Sequence, residues 1–405
     1  MFKKISFFAL AALIFVGCNS NEKEKEEKRN FKDSVYAFVN THPNIVGYGR
    51  VDLKTIVDES NIEQVGIFQL FAAETYEGLK KQVDMSAPVY FATTTTEGHS
   101  DLTVYSMLKL KDKKKLVDEW SNSGYEFKED NGVSYAEDEG YILAAKDNVA
   151  MLIMAPGDFN AKKLVTKAFN ATKGDIASGE MKKHLEAKGD FVMHMNLDGL
   201  KENDRSLALV PNGTELDFSM NFDNGEMVFE SQLNNFDKLK GLLGVEMTDE
   251  PIVAKKATDE NGNIVMAMQL SIMNPMLDQL GMGSEEMEKA MNLAPLMMEE
   301  QEVSLNISDL EESDEILMPS GKPMGDEFME MTIDLDAMMG MVPEYQDYEQ
   351  YWSKLDFAAL SIMKNGTMRL VVTTDEKGQN ILATVFKALD DFMNNGGLMQ
   401  LMASR

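Results

Sequence analysis

Residues 44–60 read NIVGYGRVDLKTIVDES. The first part, Asn44 to Leu53, is rich in β-branched and apolar residues and predicts a strand. The pattern changes at Asp52-Leu53, and Lys54-Thr55-Ile56 has the look of a helix start. An Asp or Asn at such a junction can accept hydrogen bonds from the first helix amides. The signature returns at Met195-Asn196-Leu197-Asp198-Gly199-Leu200 and again at Ile333-Asp334-Leu335-Asp336-Ala337-Met338. Chance combined with capping preference would also produce such echoes. Their similar spacing suggests duplicated modules.

Working outward, Ile62 to Val83 predicts one helical face, with apolar residues at 62, 65, 68, 72, 76, 79 and 83. PVYFATTTT from Pro88 and LTVYSMLKL from Leu102 predict a hairpin. Asp112 to Trp120 predicts a short helix capped by Asp112 and stopped by Gly124. Short strands follow near Tyr125, Val133 and Tyr141, then a buried strand at Val149 to Met154 and a helix at Asn160 to Asn170. Asp190 to Leu197 restarts the series as a strand. Glu215 to Leu233 predicts a hairpin turning at Asn224-Gly225, and 252–273 another around Asn261-Gly262. Helices are expected at 235–243, 274–298 and 379–393, and strands at 302–307, 327–335, 357–363 and 368–374. Hairpins mixed with helices give an α+β fold, with antiparallel hairpin-rich sheets packed against helices in two related modules. The expected division is 36–185 for the first module and 186–405 for a second, Met-rich one.

The N-terminal end carries a different signal. Lys3 and Lys4 precede Ile5 to Val16, which is apolar except for Ser6. That run is shorter than the roughly 20 residues of a spanning helix and has the form of a signal-peptide core. Gly17 and Cys18 follow, and Cys18 is the only cysteine. A small residue before a lone cysteine here resembles the lipobox of bacterial lipoproteins, although Phe15 stands where leucine is usual. The resemblance implies a signal peptide at 1–17, a diacylglyceryl group on the Cys18 thiol and a further acyl chain of palmitate type on its amine. Stable anchoring needs at least two acyl chains, which Cys18 would then carry. Residues 18–35 are expected to be the acylated cysteine and a charged, solvated tether. Lys25-Glu26-Glu27 resembles the surface-export signal of Bacteroidetes lipoproteins, and Asp33-Ser34-Val35 looks like that phylum's O-glycosylation sequon. The order strand, helix, hairpin, helix behind a lipobox loosely resembles an uncharacterised lipoprotein family of the same group, to which no activity attaches.

Composition narrows the function. The 405 residues carry 68 acids against 39 bases, a net charge of −29. That repels phosphates and argues against nucleic acid as a partner. One cysteine excludes a disulfide framework and a multi-thiolate metal site. Gly98-His99-Ser100-Asp101 starts like a nucleophile elbow but continues to Leu102, not Gly. Ser106-x-x-Lys109 and Ser361-x-x-Lys364 fall in expected strands, where i and i+3 face opposite sides. Asp259 to Asn263 resembles a calcium loop, with its glycine misplaced. The acidic runs at 299–302 and 309–315 could hold divalent cations weakly.

Of 32 methionines, most follow residue 190, and Met193/Met195, Met266/Met268 and Met329/Met331 alternate on expected strands. A methionine-filled core is the plain reading. A thioether Cu(I) site helped by His194, or an adaptable apolar surface, are the alternatives. No catalytic, cofactor or metal residues are assigned, and Cys18 is the one expected site, for lipidation. The expectation is a protein lipid-anchored in the outer membrane through acyl chains on Cys18. It would lie at the cell surface or on the periplasmic face and bind or scaffold an envelope protein or ligand without catalysis. An envelope hydrolase with scattered residues is the alternative.

Overall fold

The computed structural model describes residues 29–66, 73–95, 102–138, 140–157, 159–177, 179–201, 207–208, 210–244, 246–247, 253–258, 262–273, 311–312, 327, 329–340 and 354–392. Cys18, the glycine-histidine turn at 98–101, the helix expected at 274–298, the strand at 302–307 and the acidic runs lie outside them, except for Glu311 and Glu312. The chain divides into two compact units, residues 1–222 and 223–405. Both are α+β.

In the first unit the elements are α1 (Phe31–Thr41), β1 (Ile45–Val51), α2 (Leu53–Ser60), α3 (Ala73–Gln82), β2 (Val89–Thr95), β3 (Leu102–Lys109), α4 (Lys113–Asn122), β4 (Lys128–Asp130), β5 (Val133–Asp138), β6 (Tyr141–Lys146), β7 (Val149–Met154), α5 (Ala161–Ala171), α6 (Gly179–Leu185), β8 (Phe191–Asn196) and β9 (Glu215–Asp223). The strands form an antiparallel sheet in the order β9-β8-β1-β2-β3-β7-β6-β5-β4. Phe31, Val35 and Phe38 of α1 and Val165 and Phe169 of α5 close over Tyr105, Met107, Ile142, Met151 and Ile153 in one apolar cluster. Each such fully buried side chain contributes roughly 1.5–3 kcal/mol.

Four expectations are corrected by the structure. The tether does not reach residue 35: Asn30 accepts from the Asp33 amide at 2.8 Å and starts α1, whose apolar residues recur at helical spacing and enter the core. Ser34 is only 6% exposed within that helix, so the Asp33-Ser34-Val35 sequon offers no accessible hydroxyl. The division expected at 185/186 falls at 222/223, because β8 pairs with β1 and β9 with β8. The first two Asx-Leu echoes therefore end neighbouring strands of one unit. Ile62 to Val83 is not one helix either: Ile62–Gln64 is a 3₁₀ turn and Val65 is extended, with α3 further on.

The second unit contains β10 (Glu226–Leu233), α7 (Phe236–Leu243), β11 (Glu246–Met247), β12 (Val253–Thr258), β13 (Ile264–Leu270), β14 (Ile272–Met273), β15 (Glu311–Glu312), β16 (Met329–Asp334), α8 (Leu335–Gly340), β17 (Leu355–Ile362), β18 (Thr367–Thr374) and α9 (Ile381–Phe392). Its sheet runs β15-β12-β13-β16-β17-β18-β10, all antiparallel, and β11 pairs separately with β14. Asn224-Gly225 makes its expected turn before β10, with Gly225 at φ +76. The methionine core is realised at Met268 but not at Met266, Met329 or Met331, which are half-buried. On β16 the buried residues are instead Glu330 and Thr332, on the opposite face.

All three Asx-Leu echoes cap the turn or helix after them. Asp52 Oδ1 accepts from the Thr55 amide at 3.3 Å, Asn196 Oδ1 from Asp198 at 2.9 Å, and Asp334 Oδ1 from Ala337 at 2.8 Å.

Candidate functional site

β9 reads ELDFSMNFD, so period two places Glu215, Asp217 and Ser219 on one face and Leu216, Phe218 and Met220 on the other. Antiparallel register sets His194 of β8 opposite Asp217 on one side and opposite Tyr48 of β1 on the other. Tyr48, His194 and Asp217 thus form a row across three strands. Met193 and Met195 point to the other face, beside Gly47 and Gly49. That geometry separates His194 from the thioethers and removes the copper(I) arrangement.

A short helix covers the row. α6 has Glu180 in its first turn and Lys182, Lys183 and His184 in its last, which matches the helix dipole. Arg50 of β1 holds its end by donating from Nε to the Leu185 carbonyl at 2.9 Å and from Nη2 to Ala187 at 2.7 Å. Beyond it, Tyr36 of α1 donates to Glu186 at 2.8 Å, and Lys32 pairs with the same carboxylate at 2.6 Å. Gly189, at φ +138, lies in the link from α6 into β8.

The result brings His184 onto His194. Their ring centroids are 4.1 Å apart, with 19° between planes. The Tyr48 ring lies 5.0 Å from that of His194, and its hydroxyl is 2.9 Å from His184 Nδ1. His194 Nδ1 is 2.8 Å from Asp217 Oδ1. His194 is 7% exposed, whereas His184 and Asp217 are half-buried. Among the described residues, this is the one group of His, Cys, Asp or Glu whose three ligand atoms converge, all within 4.8 Å of one another.

The electrostatics are set by that packing. Burial, and then the neighbouring His194, push His184 below the usual imidazole range, against the pull of Asp217, Glu180 and Glu215. For Asp217, burial works to raise the carboxyl, but the His194 hydrogen bond and the charges of His194, His184 and Lys183 hold it below the usual range. Burial, followed by Asp217, Glu215 and Glu180, keeps the Tyr48 hydroxyl well above its ordinary value. Tyr48 therefore keeps its proton beside His184 Nδ1, the direction of that bond following the His184 tautomer, and ionised Asp217 accepts from His194 Nδ1.

The His194–Asp217 pair has the form of the orienting half of a nucleophile–base–acid relay. The group stacked on its imidazole is a second imidazole, not a hydroxyl nucleophile. Chemically the cluster is a set of nitrogen and oxygen donors in a negative setting. Sequence reading did not bring these residues together. Two of only four histidines flanking one turn, at a helix end and in mid-strand, was the available signal.

No family model matches the chain, and no curated protein gives a significant match. Among solved structures, crystal form I of TP0453 aligns at 12% identity over 55% of this chain and 90% of that one, with a TM-score of 0.31. Crystal form IV of TP0453 aligns at 10% identity over 61% and 96%, with a TM-score of 0.32. Likeness at this level carries no argument about fold or role.

Proposed function

We propose that this chain is a lipid-anchored cell-envelope protein with a binding or scaffolding role, held at the outer membrane by acyl chains on Cys18. The observation that carries the anchor is the order Lys3-Lys4, twelve residues apolar but for Ser6, Gly17 and the sole cysteine. Two or three acyl chains on one residue supply attachment without a spanning segment. No helix among the described residues is long and apolar enough to cross a membrane. The chain from Asn19 to Lys28 then spaces the folded part from the bilayer, since Arg29 already donates to the Thr172 and Gly174 carbonyls and α1 begins at Phe31. Binding is the role the candidate site supports, because two imidazoles and a carboxylate converge there and the group stacked on His194 is a second imidazole rather than a hydroxyl nucleophile.

The anchor is tested with a Cys18→Ala variant. The expected result is release into the soluble fraction and loss of the lipid mass on the processed chain. A variant that still sediments with membranes refutes the anchor. Protease treatment of intact cells distinguishes surface display from the periplasmic face.

A further inference from the structure

We propose that His184, His194 and Asp217 together bind one divalent cation from the zinc–copper end of the first-row metals. This rests on the binding half of the reading above and is independent of the anchor.

The donor set points to that class. Two imidazoles and one carboxylate suit zinc, copper(II) or nickel, whereas magnesium and calcium prefer all-oxygen shells. Spacing is the second argument. In a four-coordinate site with bonds of about 2.0–2.2 Å, donors stand about 3.5 Å apart. The His194 Nδ1 to Asp217 Oδ1 separation, 2.8 Å, is that of a hydrogen bond, so an ion taking both donors displaces the shared proton and opens the pair by about 0.7 Å, while all three donors already lie within 4.8 Å. Binding therefore needs movements of about an ångström, a small opening of the His194–Asp217 pair and an approach by His184. That residue is half-buried on the last turn of α6, while its neighbour Leu185 is fully buried and pinned by Arg50. The backbone can stay while the ring turns. An imidazole lone pair lies in its ring plane, so two near-parallel rings 4.1 Å apart must turn toward each other to share one ion, and binding exchanges the stack for converging rings.

The surroundings favour a cation. Glu180 lies one helical turn before His184, and Glu215 precedes Asp217 by two on the same face of β9. Both carboxylates act on His184 and Tyr48, and Lys183 is the nearby opposing charge on Asp217. Arg50, Tyr36 and Lys32 fix the helix that carries the mobile ligand.

The acidic chain will bind divalent ions weakly elsewhere, so the test must separate that background. The full processed chain in detergent is titrated with zinc against a chromophoric chelator, in the presence of excess calcium and magnesium. The expected result is one equivalent bound, not displaced by the hard cations, and weakened at least about tenfold in His184→Gln and in Asp217→Asn. Both positions are half-exposed, and thermal melts check that the variants fold. Proton NMR supplies a second readout, because the chain has four histidines. Zinc should shift the imidazole signals lost in His184→Gln and His194→Gln, and leave those of His42 and His99 in place. Zinc binding unchanged in the His184→Gln/Asp217→Asn double variant overturns the proposal, as does binding that calcium or magnesium removes. Loss of zinc binding by a chain that Cys18→Ala still releases would overturn the metal site and leave the anchor standing.

Discussion

His42 should make the first unit acid-labile. It is 4% exposed, at the end of α1, stacked on Phe38 at 4.9 Å and tilted against Tyr105 at 5.0 Å. Its Nδ1 donates to the Pro43 carbonyl at 3.0 Å, which places the bare lone pair on Nε2. That Nε2 is buried with no hydrogen-bond partner. Protonating it would put a charge and an unmet donor among aromatic rings. Burial first, and the charge of Lys167 second, push His42 down to about 4. In the unfolded chain the imidazole titrates near 6.5. Between those values the unfolded state binds a proton that the folded state does not, so stability falls as pH falls through this window. The loss relative to pH 7 is about 2 kcal/mol at pH 5 and about 3 kcal/mol at pH 4. His42→Phe keeps a ring in the stack and cannot titrate, and the Pro43 carbonyl, on an exposed residue, can turn to water. Urea unfolding of both proteins from pH 7 to pH 4 isolates the effect, since the carboxylates common to both cancel in the difference. The variant should gain about 3 kcal/mol on wild type across that range. Two stability curves that stay parallel would refute the assignment of acid lability to His42.

Gly49→Ala should cost about 3 kcal/mol or more, read as a lower urea midpoint at unchanged slope, because an added Cβ would meet the Val192 carbonyl at 2.2 Å and the Phe91 ring at 2.5 Å. Phe91 is stacked on Phe191 at 5.5 Å, and the Val192 carbonyl and Met193 Cα are sheet backbone, so turning one side chain away does not relieve the clash. Asp334→Ala should cost about 1 kcal/mol and Asp52→Ala less, in keeping with their 2.8 and 3.3 Å caps, and amide exchange in α8 and α2 should quicken in the same order.

The features legible in the sequence were those set by neighbours along the chain. Asp112 caps α4 through Lys115 at 3.1 Å, Asn160 caps α5 through Lys163 at 2.9 Å, and Asn224-Gly225 turns as such pairs do. The Asx-Leu junctions belong to the same class, and their shared cause is capping, whatever their ancestry. α1 was missed because Lys32 and Asp33 continue the charged run before them, and only the 31, 35, 38 spacing betrays a buried face. The boundary at 185/186 failed for another reason. Strand pairing is set by partners far apart in sequence, and nothing local in FVMHMN says that its neighbour is IVGYGRV, more than a hundred residues earlier.

The site fails to announce itself on the same ground, carried one step further. His194 has its neighbours Tyr48 and Asp217 only once β1, β8 and β9 are in register, and a one-residue slip of β8 would turn His194 to the opposite face, where Met193 and Met195 lie. His184 arrives only because Arg50 fastens the end of α6 above the row, through the Leu185 and Ala187 carbonyls. Each device is common alone. The register of the sheet and the docking of one seven-residue helix are therefore the same physical fact as the existence of the site, so a perturbation that loosens either should abolish metal binding before it unfolds the unit. Arg50→Gln is the variant that separates the two: with no ligand removed and the sheet intact, zinc affinity should fall while the far-ultraviolet circular dichroism stays that of the parent. Undiminished affinity in that variant would mean that the site closes without the clamp, and that the helix is positioned by its apolar contacts alone.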